Sequence, residues 1–306
     1  MQRSTPADPW TPPHEDDRVR DVVHLHDNDA SVTVVVVLFR TDRRDFRRVL
    51  DRLSEQTASD FDVVLVDNGT SWDVVEAVES HPFVTTYVEL TENHGITAAR
   101  NIGAAATDSE ILVFLDDDAL PARDFVAQHA RIHRDHDVVA VRGRVVPRAD
   151  TIYNRLQTWY DLGDDPLPYY INIEGNASFD AEAFLAVAGF NEALTGRAGH
   201  EGIELSYRLE SVVEGDEALR YHPGPVVYHD YATSLRGYVR KVVYARKTKR
   251  LLERIYPDVF EYAAQYSEVQ QTSSGLSHTD RLKEVAINTL VELWSLVDRA
   301  AGSSPR

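Results

Sequence analysis

Three consecutive carboxylates, Asp116-Asp117-Asp118, end the apolar run Ile111-Leu112-Val113-Phe114-Leu115. Adjacent carboxylates repel one another unless a cation or solvent relieves them, and hard oxygen ligands suit Mg²⁺ or Mn²⁺ bridging to a diphosphate. A solvated acidic turn would explain the triplet alone, but its place at the end of an apolar run favours the ligand reading. Asp67, followed by Asn68 and Gly69, ends a second such run. Between them lies Asn93-His94-Gly95-Ile96-Thr97-Ala98-Ala99-Arg100-Asn101-Ile102-Gly103. It reads as a helix N-terminus with small residues that permit close backbone approach, and Arg100 could reach a phosphate or a base carbonyl. Alone, the segment is equally an ordinary packed helix with one surface Arg; followed by a strand and the acidic triplet, it becomes specific.

The elements that must hold these residues are legible from residue 31 onward. Residues 32–39, 62–67, 84–90 and 110–115 read as strands, and 45–57, 72–80 and 96–106 as helices between them. This alternation predicts a mostly parallel sheet, and the unbroken apolar run Val34–Leu38 fits a strand buried on both faces. In such a sheet ligands bind beyond the carboxyl ends of the strands, where Asp67 and the triplet stand. Further on, the pattern predicts a helix over 121–135, a strand over 138–146, a loop over 161–168 and helices over 181–188 and 201–213. Extended segments at 218–222 and 226–229, a long helix at 235–255, a polar break at 270–279 and a last helix at 281–299 complete the reading.

In this order the motifs resemble those of the family 2 glycosyltransferases, nucleotide-sugar-dependent enzymes of the GT-A fold, over roughly residues 32–249. The resemblance rests on Phe46-Arg47-Arg48-Val49-Leu50-Asp51-Arg52-Leu53-Ser54-Glu55-Gln56-Thr57, Val64-Leu65-Val66-Asp67-Asn68-Gly69-Thr70, the Arg100-Asn101-Ile102-Gly103 element and Phe114-Leu115-Asp116-Asp117-Asp118. Gly175-Asn176-Ala177-Ser178-Phe179, Phe184 and Gly189-Phe190-Asn191-Glu192 match the family's acceptor-side segment. It implies an α/β GT-A fold, with a Rossmann-like nucleotide-binding part at about 31–118, an acceptor part at about 119–230 and a C-terminal helical region at 231–306. It further implies that Asp67 meets the base, Arg100 and Asn101 the nucleotide, and Asn176 the donor side. Asp118 would ligate Mg²⁺ or Mn²⁺, with Asp116 and Asp117 on ribose or metal-bound water; Asp116 and His229, in Tyr228-His229-Asp230, are further candidate ligands.

Two departures qualify the resemblance. Relatives often have Pro-Thr-Tyr-Asn after the first strand, where this chain has Leu38-Phe39-Arg40-Thr41. Near the late helix the chain reads Gly199-His200-Glu201-Gly202-Ile203-Glu204-Leu205, so the position of the usual catalytic Asp is Gly202. Glu201 is then the first candidate for general base, with Glu204 and His200 behind it; the alternative is that Glu201 only caps the helix. The implied reaction is inverting transfer from a nucleotide sugar to a lipid-linked glycan on polyprenyl or dolichyl phosphate, in N-glycosylation or surface-glycan assembly. A lipid phosphate acceptor would need no base, and a non-catalytic sugar-binding relative is the reading from another class.

Composition narrows the rest. The 306 residues carry 50 acidic and 32 basic groups for a net charge of −18, which disfavours nucleic-acid backbone as a partner. Lysine is scarce, with 28 of the 32 basic residues Arg, a balance resembling salt-adapted proteins of halophilic archaea. Without Cys there is no disulfide, thiolate metal site or thiol nucleophile. A Gly-x-Gly-x-x-Gly fingerprint is absent, which excludes a dinucleotide dehydrogenase. No run approaches the ~20 apolar residues of a membrane span, and residues 1–30 read as a disordered polar tail without a secretory h-region. The expected location is therefore the cytoplasm, at most peripheral on the membrane's cytoplasmic face. One segment opposes the overall charge: from Arg236 to Arg254 there are eight basic residues and one acidic, a net +7 that leaves −25 for the rest. Arg236, Arg240, Lys247, Arg250 and Arg254 fall on one helical stripe. It suits an anionic membrane surface or a polyprenyl-phosphate acceptor, or pairing with the acidic body.

Overall fold

The computed structural model describes residues 10–27, 29–194, 199–213, 218–266 and 276–300. Residues 1–9 of the expected tail and 270–275 of the polar break lie outside these. Four parallel strands form the first half of the sheet: β2 (Val32–Leu38), β3 (Asp62–Asp67), β4 (Val84–Leu90) and β5 (Ile111–Asp116). The connecting helices are α1 (Arg43–Ser54), α2 (Val74–Val78) and α3 (Ile96–Ala104). Asp42 and Asp73 start α1 and α2 by accepting backbone N–H bonds, satisfying donors that a helix N-terminus leaves unpaired.

Burial on both faces explains the unbroken apolar strands. Val34, Val36 and Leu38 of β2 pack with Phe46, Val49, Leu50 and Leu53 of α1, and with Phe125 and Val126 of α4 (Phe125–Asp135). Val37 points to the opposite layer, with Ala99 and Ile102 of α3. Each such side chain taken from water contributes ~1.5–3 kcal/mol, so the β2 environment is strongly specified.

The second half adds β6 (Leu120–Pro121), β7 (Ala140–Val146), β8 (Leu167–Pro168), β9 (Asn176–Asp180) and β10 (Leu219–Tyr228). Around them lie α5 (Ile152–Arg155), α6 (Ala181–Ala186), α7 (Glu201–Glu210), α8 (Leu235–Ile255), α9 (Val259–Ala264) and α10 (His278–Ala300). With β1 at Val19–His24, the strand order is β1-β4-β3-β2-β5-β9-β7-β10-β6, with β8 on β10. The two extended segments expected at 218–229 are one strand with an irregularity between Tyr221 and Val226.

Short elements depart from expectation, with β6 at the start of the expected 121–135 helix, β8 inside the expected 161–168 loop, and α5 and α9 unforeseen, and two longer departures bear on the sheet. The disordered tail gives way at β1 (Val19–His24), which pairs antiparallel with the edge of β4. Val19 and Val22 pack on the α3 layer and Val23 on the opposite one. Upstream, Trp10 lies edge-on to Phe184 and donates to the Leu185 carbonyl, and Arg18 binds Glu192. β9 has no β-branched residue, yet it runs antiparallel between β5 and β7. Its Ala177 and Phe179 enter the apolar core, while its polar face is met by α4. There Ser178 Oγ lies 2.8 Å from both His129 Nδ1 and His133 Nε2, and Asn176 Oδ1 lies 3.2 Å from His129 Nε2.

Candidate active site

The carboxyl ends of β3, β2 and β5 open side by side, as the register Leu38↔Asp67 and Val37↔Asp116 requires. Asp67, at the end of β3, accepts from Gly69 N (2.9 Å), Thr70 N (2.7 Å), Thr70 Oγ1 and Tyr87 Oη (3.0 Å). Its carboxylate therefore shapes the turn that follows it. Asn68 ties that turn to the start of α3, accepting from His94 N at 2.9 Å and donating to the Gly95 carbonyl at 3.2 Å. The departing segment after β2 closes the same end: Phe39 lies 3.6 Å from the position a Cβ on Gly69 would take, and Arg40 has φ 53°.

The triplet splits three ways. Asp117 accepts from Thr41 Oγ1 and from Phe39 N at 3.3 Å, so it pins the loop after β2. Burial first, and then the charges of Asp118 and Asp116, push its carboxyl up to about 7 despite those bonds. Asp116 accepts from Arg100 Nη2 at 3.1 Å. Asp118 Oδ1 stands 3.2 Å from His229 Nε2 at the end of β10. Burial works against both charges in that pair, but the contact prevails, holding Asp118 below and His229 above their ordinary values. Of the expected ligands Asp116, Asp118 and His229, the structure thus brings together the last two and gives Asp116 to Arg100.

Among the described residues no group of three His, Cys, Asp or Glu is arranged to hold a metal ion by itself. The Asp118–His229 pair nonetheless fits a divalent ion: a carboxylate oxygen and an imidazole nitrogen meet at the crevice mouth, where Asp118 is half exposed. Such an ion would take its remaining ligands from a diphosphate and water.

Arg100 is 4% exposed and sits 5.4 Å over the Phe190 ring, inside the protein wall. Its second nitrogen, Nη1, is 3.8 Å from Glu201 Oε1. The other Glu201 oxygen accepts from Gly199 N. Glu174, which sequence reading missed, completes the cluster by accepting from Gly202 N at 2.7 Å. Burial, and then the charge of Glu201, push Glu174 up to about 8, with Arg100 opposing.

Four expected site residues do other work. Asn101 spends its amide on the Phe190 backbone (2.9 and 2.8 Å) and on Glu192 (3.1 Å), so it clamps the acceptor-side segment to α3. Asn176 donates to the Arg144 and Pro225 carbonyls, at 2.8 and 3.2 Å, and so joins β9 to β7 and β10. Glu204 forms a two-pronged pair with Arg208, at 2.8 and 2.7 Å, whose guanidinium also holds the Val187 and Gly189 carbonyls. His200 faces the Phe260 ring of α9, 5.4 Å away, and burial with nearby Lys249 pushes it down to about 4. Each was named by a motif, but a motif does not say which way a buried polar side chain points.

The description "Glycosyl transferase family 2" matches residues 33–189, just over half of the chain. The chain belongs to that family. It is 30% identical over 244 residues to the pre-mycofactocin glycosyltransferase of Mycobacterium tuberculosis, covering 74% of this chain and 48% of the relative. It thus spans about half the length of that protein. It is 24% identical to the glucosyl-dolichyl phosphate glucuronosyltransferase of Haloferax volcanii, over 74% of this chain and 78% of the relative. Among solved structures, the mannosyltransferase PcManGT from Pyrobaculum calidifontis, in complex with GDP-Man and Mn²⁺, superposes with a TM-score of 0.57 at 21% identity. That match covers 87% of this chain and 83% of the other. Together with the mixed, mostly parallel sheet, it establishes the GT-A fold. No helix of the described residues is long and apolar enough to cross a membrane.

Proposed function

We propose that this glycosyltransferase moves a sugar, with inversion, from a nucleotide-sugar donor to a lipid-linked glycan acceptor. The carrying observation is the convergence at one sheet end of the Asp67 turn, the Asp118–His229 pair and the Arg100–Asp116–Glu201–Glu174 cluster. Asp118 and His229 would hold a Mg²⁺ or Mn²⁺ ion that neutralises charge growing on the departing diphosphate. The Asp67 turn and Phe39 frame the base end, Arg100 braces Asp116, and a buried carboxylate on the opposite lip accepts the acceptor's proton.

The lipid-linked acceptor is supported by the name of the Haloferax volcanii relative and by two surfaces of the C-terminal region. Arg236, Arg240, Arg250 and Arg254 are exposed along α8, while Arg246 and Lys249, off that line, pair with Glu292 (2.8 Å) and Glu253 (3.7 Å). On α10, Ile287 and Val291 pack against α8, whereas Leu282, Val285, Leu293 and Leu296 are exposed. A cationic helix beside an apolar one suits peripheral binding to the cytoplasmic face of an anionic membrane, in assembly of N-linked or surface glycans.

The test is a panel of UDP- and GDP-sugars incubated with a polyprenyl-phosphate-linked glucose and Mn²⁺. Transfer should stop with EDTA, and Asp118→Asn should weaken Mn²⁺ binding at least tenfold in a titration read by Mn²⁺ EPR. Wild-type protein that binds no nucleotide sugar would sink the proposal.

A further inference from the structure

At Gly202, in the cluster around Arg100, backbone is present and a side chain is excluded. A Cβ on Gly202 would fall 2.4 Å from Glu174 Oε1 and 2.7 Å from the Ile171 carbonyl oxygen. The same Glu174 oxygen accepts from Gly202 N at 2.7 Å, at the first turn of α7. The N-terminal turn of a helix favours a negative group, so the carboxylate is seated by an amide and by the helix dipole. The place of a side chain at residue 202 is thus filled by a carboxylate from a different element, the turn leading into β9.

The next residue fixes that turn against the donor side. A Cβ on Gly175 would stand 2.1 Å from Asp116 Oδ2, so the bare Gly175 backbone lies directly against the Asp116 carboxylate at the end of β5. Glu174 therefore spans the gap between the start of α7 and the Asp116–Asp118 strand end. Of the neighbouring carboxylates, Glu204 is committed to Arg208 and Asp116 to Arg100, while Glu201 holds Gly199 N through one oxygen and keeps the other 3.8 Å from Arg100 Nη1, beyond hydrogen-bond reach. Glu201 is also more deeply enclosed, at 2% exposure against 9% for Glu174.

We propose that Glu174, rather than Glu201, is the catalytic base of this enzyme. The assignment rests on the reading of the chain as a transferase acting on an acceptor hydroxyl. As the acceptor oxygen forms its bond to the anomeric carbon, its proton passes to the Glu174 carboxylate. The bond from that carbon to the diphosphate oxygen breaks, and its electron pair leaves with the nucleoside diphosphate. Glu174 returns the proton to solvent when product leaves. Its ease of protonation near neutral pH, set by burial and by Glu201, matches a group that must both take and release a proton.

The test compares wild type, Glu174→Gln, Glu201→Gln and Glu174→Ala with UDP-glucose or GDP-mannose, Mn²⁺ and a polyprenyl-phosphate-linked glucose. Donor binding is measured by calorimetry and turnover by release of UDP or GDP. Glu174→Gln keeps an acceptor for the Gly202 N–H, so it should bind donor within threefold of wild type while kcat falls about 100-fold or more. Sodium formate should restore at least tenfold of the activity lost in Glu174→Ala, a response that a purely structural role would not give. Wild-type kcat in Glu174→Gln, with the loss found in Glu201→Gln, would return the role to Glu201 and overturn the proposal. Full activity in both Gln variants would also overturn it, because transfer to the glucose hydroxyl would then proceed without either carboxylate, with the transferase reading intact. Absence of donor binding by wild type would instead remove the transferase reading, and Glu174's role with it.

Discussion

At the scale of single residues, the site separates groups that face the crevice from groups that hold its walls. Glu204 belongs to the walls: it is 0% exposed and bonded to Arg208 through both oxygens. Removing it leaves a guanidinium beside the Val187 and Gly189 carbonyls without its counter-charge, and breaking a buried pair in this way costs ~3–5 kcal/mol. Glu204→Ala should therefore lower the urea midpoint by the equivalent of ~3 kcal/mol, while donor affinity at a temperature where the protein stays folded changes little. A large loss of donor binding without loss of stability would contradict this placement. The places of Asp67 and the acidic triplet were legible in the sequence because each ends an apolar strand, and that of Arg100 because its segment reads as a helix between two such strands. Glu174 was not, since no local pattern marks a glutamate whose role depends on a glycine 28 positions away. The absence of a side chain at Gly202 was the available signal, and it pointed to a missing group without saying what replaces it.

At the scale of elements, the first half of the sheet followed from periodicity, because β2, β3 and β5 bury both faces in apolar layers. The second half was harder to read because β9 is held by partners rather than by composition. A consistent set of hydrogen bonds has His129 donating to Asn176 and accepting from Ser178, with His133 donating to the same hydroxyl. This network requires the His129 imidazole to be neutral, while His133 can donate in either state. Burial, with His133 as its neighbour, pushes His129 down to about 3, and burial pushes His133 down to about 4 against the pull of Asp180. Both folded values lie below the unfolded value of about 6.5, so the unfolded chain binds more protons at intermediate pH. Their contribution to stability is complete above that value and is lost as pH falls toward 4. Together the two should give a slope of up to ~2.7 kcal/mol per pH unit near pH 5. Urea unfolding at pH 7.5, 6 and 5 measures it, and the double variant His129→Gln/His133→Gln should flatten the slope. An unchanged slope would show that other groups set the acid sensitivity.

At the scale of the whole molecule, charge is divided rather than uniform. The chain carries −18 overall, but the segment from Arg236 to Arg254 carries +7 against −25 elsewhere. Where an anionic surface is met through α8, each basic residue contributes ~1 kcal/mol in low salt. Flotation with phosphatidylglycerol vesicles should therefore be strong at 0.1 M KCl, weak at 1 M, and lost on reversing Arg236, Arg240, Arg250 and Arg254 to Glu. Equal flotation of wild type and the reversed variant would remove the membrane contact from the functional reading. The division into a nucleotide-binding part ending near residue 118 and an acceptor part after it follows the motifs, but it is not a division of the sheet, because β9 pairs with β5 on one side and β7 on the other.

That central position of β9 has a consequence for synthesis. A ribosome delivers β2 to β5 and then β7 before residues 176–180, so β5 and β7 face an open seam until β9 arrives, and the far edge of β7 waits longer still for β10. Until the seam closes, the facing edges of β5 and β7 offer unsatisfied backbone groups to any other nascent chain. One of the edges that needs protection during translation thus belongs to the strand that later carries Asp116 to the crevice.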